Sequence, residues 1–164
     1  MVSILILIMR LLSIIFYLIS LTFLGTINKT AFYSYFKSND KTSIEMGIKF
    51  ISNTPDSNIK DAYLGALIIK SAQYSKLAAD RLEIFKEGKL LLENAIKKDP
   101  LNVEFRFLRF VLQENCPQLL HYNTNLKEDK LLICEKHNTL ELTVKNEINS
   151  YCIESALLSI KDLK

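Results

Sequence analysis

KKDPLNVEFRFLRFVLQEN (Lys97–Asn115) decides the fold class. Its centre, EFRFLRF, alternates acid, aromatic, base, aromatic, apolar, base and aromatic. That alternation suits a β-strand with Phe105 and Phe107 on one face and Glu104 and Arg106 on the other. The pattern breaks at Leu108, because Phe107, Leu108, Phe110, Val111 and Leu112 do not share one face of a period-two ribbon. A helix accounts for all of them. Asn102 supplies an N-cap after Asp99-Pro100. Glu104 falls in the first turn, where a carboxylate suits the positive helix end. Val103, Phe107, Phe110, Val111 and Glu114 then recur at i, i+4, i+7, i+8 and i+11, and Phe105, Leu108 and Leu112 widen the stripe. Arg106, Arg109 and Gln113 share the remaining narrow face. A helix this apolar is expected at the centre of its domain.

The rest of the chain extends the helical reading. NTPDSN (Asn53–Asn58) stacks turn formers and helix caps and marks a loop. Before it, TAFYSYFK (Thr30–Lys37) reads as a helical turn or two. Asp40 or Thr42 can cap a following helix with Ile44, Met46, Ile48, Phe50 and Ile51 largely apolar. After it, Ile59, Ala62, Tyr63, Ala66, Leu67 and Lys70 predict a helix to about Ser75. Leu82, Phe85, Leu91, Leu92, Ala95 and Ile96 form the inner face of a helix over about Ala78–Lys98, with Lys86, Lys89, Glu93 and Lys97 outside. Further helices are expected over Pro117–His121, Lys127–His137 and Leu140–Leu163. The connections are short, so neighbouring helices should be antiparallel. Four glycines and three prolines in 164 residues fit this all-α class and argue against a turn-rich β fold.

Within this frame, ENAIKKDPLNVEF resembles the junction between tetratricopeptide repeats. Ala95, five residues before Pro100, holds the small-residue position of that repeat's second helix. Leu64-Gly65 resembles the Leu-Gly pair of its first helix, and Gly88 or Ala78 stands for the other small residue. The span from Gly65 to Pro100 is about three residues longer than the roughly 34-residue repeat requires. Ile68 replaces the family's Tyr, and beyond Pro100 Arg106 and Arg109 occupy the places of Trp and Leu. The resemblance covers about residues 62–103. It implies about six antiparallel helices arranged as helical hairpins, with a groove for a protein or peptide partner. A looser echo relates ISNTPDSNIKDAYLGALI to IKKDPLNVEFRFLRFVL, each a Pro-Asn loop opening an apolar helix.

The N-terminal residues read differently. VSILILIM is followed by Arg10 and then by LLSIIFYLISLTFLG (Leu11–Gly25). If the whole stretch spanned a bilayer, Arg10 would lie deep in it, at a cost of roughly 2.5–3.5 kcal/mol. A start at Met9 leaves an apolar run of the length of a signal-peptide core, short for a spanning helix. Residues 1–27 are therefore read as a signal peptide or an uncleaved signal anchor, with a buried core helix as the third possibility. The body, residues 28–164, is expected as a single helical domain exported to the cell envelope. The anchored alternative would make it a membrane-held structural subunit, touching the membrane only through this segment.

Chemistry is sparsely signalled. A net charge of +3, part of it from Arg10, leaves no electrostatic footprint for nucleic acid. EFRFLRF has a basic residue among spaced aromatics, as the RNA-recognition signature does, but lacks the glycines that signature needs. No phosphate-cradling glycine loop or nucleophile elbow occurs, so neither enzyme activity nor a cofactor is expected. His121 and His137 stand in no ligand cluster. Cys116, Cys134 and Cys152 are too widely spaced for a metal knuckle. In an oxidising compartment two of them can pair. Otherwise they are three small buried hydrophobes. The candidate binding residues are Arg106 and Arg109. Two guanidiniums one turn apart can grip a carboxylate or phosphate, or can pair internally with acids such as Glu128 and Asp129. The helix reading makes Phe107 and Phe110 core residues. Either one changed to Ala should lower unfolding free energy by about 3–5 kcal/mol in urea titrations.

Overall fold

The computed structural model describes Arg10 and residues 27–163, and over this range the chain is all-helical. Seven α-helices are described: α1 Lys29–Lys37, α2 Lys41–Ser52, α3 Asn58–Ser71, α4 Ala78–Lys98, α5 Val103–Glu114, α6 Leu126–Lys136 and α7 Leu142–Tyr151. The export segment expected over residues 1–27 lies outside the described residues, Arg10 and Ile27 apart. Among the described residues no helix is long and apolar enough to cross a membrane.

Local chemistry sets most helix starts. Asn28, Asp40, Ser57 and Asn102 each turn a side-chain oxygen onto a backbone N–H of the first turn. Asp40 is thus the cap of α2, with Oδ2 accepting from Ser43 N at 2.7 Å.

The most intimate pairing is the antiparallel hairpin of α3 and α4. A Cβ built on Gly65 would sit 2.6 Å from Gly88 O, and one built on Gly88 would sit 2.6 Å from Gly65 O. The two backbones therefore touch, which only residues without a side chain permit. Asn58 Nδ2 donates to Ala95 O at 3.0 Å, and Lys98 Nζ lies 3.0 Å from Asp61 Oδ2, holding the far end in register. Gly47 repeats the device on α2, where a Cβ would lie 2.6 Å from Tyr35 Cβ of α1. Phe32 of α1 stacks on Tyr63 of α3, ring centroids 3.7 Å apart.

Helix α5 lies across this assembly. Every residue from Val103 to Phe110 is buried, the polar ones included. The expected central helix is observed, but from Val103 to Phe110 it exposes no polar face, and only its C-terminal part, at Val111 and Glu114, is half-buried.

Four expectations are corrected. The helix expected over Leu140–Leu163 ends at Tyr151. Beyond it Glu114 Oε1 accepts from Ala156 N at 2.8 Å and Leu157 N at 3.0 Å, and Ser155 Oγ accepts from Leu158 N at 2.8 Å. These partners satisfy N–H groups that a continued helix would have used, and the chain resumes only as a single 3-10 turn, Ile160–Asp162. Pro117–His121 is likewise one 3-10 turn, Gln118–Leu120, stopped by His121 at φ 47°. α3 gives way to 3-10 geometry at Ala72–Tyr74. Finally, Leu82 and Ile59 are exposed, while Glu93 faces inward. A buried arginine on α5 recruits that carboxylate.

The Gly65–Gly88 contact makes a sharp prediction. Gly→Ala in an exposed helix raises stability by up to about 1 kcal/mol. Gly88→Ala here forces a methyl onto Gly65 O and Ile69 N. It should instead lower stability, by about 1–3 kcal/mol, measured by urea denaturation.

Candidate functional site

Three arrangements of polar groups surround α5, one on each of its sides. The first contains both arginines singled out in the sequence. Arg109 reads the buried Asp129 of α6 as a fork, Nε to Oδ2 and Nη2 to Oδ1, both at 2.7 Å. Its Nη1 reaches Glu93 Oε2 of α4 at 2.8 Å. Arg106 bonds Glu128 through a terminal nitrogen, and its Nε lies 2.5 Å from Asp129 Oδ1 without the alignment of a hydrogen bond. Asp129 is fully buried. Burial pushes its carboxyl up from the ordinary range, and the two guanidiniums pull against that. For Arg109 burial opposes the charge, yet Asp129 and Glu93 outweigh it and hold the guanidinium more firmly charged. Glu93 also accepts from Tyr122 OH at 2.6 Å, and Gln113 Nε2 donates to Asn125 Oδ1 at 3.1 Å. The structure thus places Arg106 and Arg109 together, against internal acids.

The second arrangement is centred on Glu104. Its carboxylate accepts from Tyr33 OH at 3.1 Å, from Tyr63 OH in a shorter bond, and from Lys29 Nζ at 2.7 Å. Burial first, and the carboxylate next, push the phenols of Tyr33 and Tyr63 upward. The first-turn acid read from the sequence is therefore also the junction of α1, α3 and α5. Nothing local to EFRFLRF signalled that second role, because both tyrosines come from other helices.

The third side of α5 opens to a groove of about 1060 Å³. Phe107, Val111 and Glu114, one helical stripe, contribute to its lining with Phe36 of α1, Ile69 of α3, Phe85 of α4 and Tyr151 of α7. Leu82 and Leu119 lie along it and are exposed, Leu119 by 86%. Lys70, which sequence periodicity put on an apolar face, lines this groove and turns back to cap α1. Its Nζ bonds Phe36 O at 2.5 Å and Ser38 O at 3.0 Å, and burial lowers its pKa. The sequence implied a groove but not its place against α5. Leu82 and Phe85, which line it, are apolar residues that a hairpin reading assigns to the core.

The remaining candidates are placed simply. His137 Nε2 lies 2.9 Å from Asn149 Oδ1. Cys116 lines the groove, its thiol pushed up by burial, and among the described residues no cysteine is disulfide-bonded. Among the described residues no cluster of His, Cys, Asp and Glu could hold a metal ion. No family model, curated protein or solved structure matches the chain.

The arginine junction yields a testable asymmetry. Asp129→Asn leaves two buried guanidiniums short of charge, and should cost about 3–5 kcal/mol. Combining Arg109→Met with Asp129→Leu should cost clearly less than the sum of the two single changes, as a double-mutant cycle in urea would show.

Proposed function

We propose that this chain is a non-enzymatic helical protein of the cell envelope that binds a protein or peptide segment in the groove. The observation that carries this reading is the groove itself, an open concavity of about 1060 Å³ with an apolar floor supplied by four helices and α5 at its base. Such a concavity suits a segment that buries a few apolar side chains by shape complementarity. The strongest polar chemistry is bound up elsewhere. The carboxylates of Asp129 and Glu104 are buried and bonded by Arg109, Arg106, Tyr33, Tyr63 and Lys29, a use that serves cohesion.

The α3–α4 hairpin supports a divergent tetratricopeptide-repeat-like character over about residues 62–103. Ala95 is fully buried, and Gly65 meets Gly88 where two helices of such a hairpin cross. Export rests on the apolar run within residues 1–27 and its single Arg10.

A photo-crosslinking residue at Leu119, in cells, tests the reading. A discrete protein or peptide adduct is expected. It should be lost when Val111→Glu is added to the groove floor, and be absent when the crosslinker is moved to Met46, exposed on α2 away from the groove. Equal labelling from both positions, or none from Leu119, counts against it.

A further inference from the structure

The groove is electrically divided. Its cationic lining residues, Lys37, Lys70 and Arg81, come from α1, α3 and α4. Its anionic ones, Glu114, Glu147 and Glu154, come from α5, α7 and the turn that follows. Four of the six are already committed. Lys37 Nζ crosses to Glu147 Oε2 at 2.8 Å and ties the two walls together. Lys70 holds the carbonyls at the end of α1. Glu114 accepts from Tyr151 OH, Ser155 Oγ and two backbone N–H groups.

Arg81 and Glu154 are different. Arg81 donates Nε to Ser75 O at 2.7 Å, which leaves its terminal nitrogens available. The Glu154 carboxylate makes no hydrogen bond or close ion pair among the described residues, and only the longer-range charge of Lys70, whose Nζ is held by carbonyls, acts on it. Both are exposed. The groove therefore offers an apolar floor, an exposed guanidinium from α4 and an exposed carboxylate from the turn after α7.

We propose that the occupant is an amphipathic segment of another protein, with bulky apolar side chains for the floor, a carboxylate for Arg81 and a basic side chain for Glu154. This rests on the peptide-binding reading above and adds the partner's charge pattern and its direction. Opposite charges carried by different elements, α4 and the turn after α7, accept a bipolar segment one way round and repel it reversed. A nucleic acid or another polyanion would meet the wall of Glu114, Glu147 and Glu154. An acyl chain would fill the floor and leave both charges without partners.

The test is selection from a random peptide library displayed on phage, against the full chain in detergent. Bait proteins are the wild type, Arg81→Glu, Glu154→Lys, the double charge swap, and Val111→Glu as background. The wild type should enrich peptides with a bulky apolar anchor between an acid and a base in one fixed order. Arg81→Glu should lose the acid, Glu154→Lys the base, and the double swap should enrich the reverse order. The leading wild-type peptide, synthesised, should bind each single variant roughly fivefold more weakly. Enrichment of apolar peptides with no charge order overturns this inference and leaves the groove reading standing. Enrichment of sequences matching this chain's own apolar N-terminal residues or its surface overturns it in favour of self-association. No enrichment over Val111→Glu overturns the inference and the groove reading together.

Discussion

Helices α3 and α4 meet backbone to backbone at Gly65 and Gly88, and the rest of the molecule is hung on that contact. Ordinary helix pairs stand about 8–10 Å apart, held off by side chains. Here each glycine lies where a methyl would strike the other's carbonyl, so the hairpin has one register and one close spacing. The register brings Asn58 to Ala95 at one end and Ile69 near Gly88 toward the other. It also leaves Ile69 and Phe85 lining one cavity, into which α5 contributes Phe107 and Val111.

The second constraint is the enclosure of α5. A helix buried from Val103 to Phe110 must satisfy every polar side chain within the protein. Glu104 meets two phenols and a lysine, Arg109 meets two carboxylates, and Gln113 meets Asn125. The partners come from α1, α3, α4, α6 and the loop before α6. These junctions specify the arrangement more than they stabilise it, since a misplaced helix would leave a charge buried and alone. Glu114 extends the same logic to the C-terminal residues, folding them along the groove rather than letting α7 run on.

Much of the helical framework was legible because its signals are local. Asn102 and Asp40 cap the helices they precede, and the apolar period over Ala78–Lys98 matches α4 end to end. The readings that failed depend on contacts far along the chain. The C-terminal helix looked continuous because no proline or glycine interrupts it, yet a carboxylate on α5 captures its N–H groups. Glu93 looked solvent-facing because its neighbours are lysines, yet Arg109 turns it inward. For Arg106 and Arg109 the residues on offer as partners, Glu128 and Asp129, were identifiable in advance, and the geometry brings them together.

By itself the sequence determined the helical class, the Asn102 cap with the break before it, and the centrality of EFRFLRF, because periodicity and capping act within a few residues. Tertiary structure alone decided which face of α5 would be groove, which carboxylates would be buried, and which charges would remain available. Those outcomes depend on how closely two helices approach, and that distance is set by Gly65 and Gly88, twenty-odd residues apart in the chain and touching only in the folded protein.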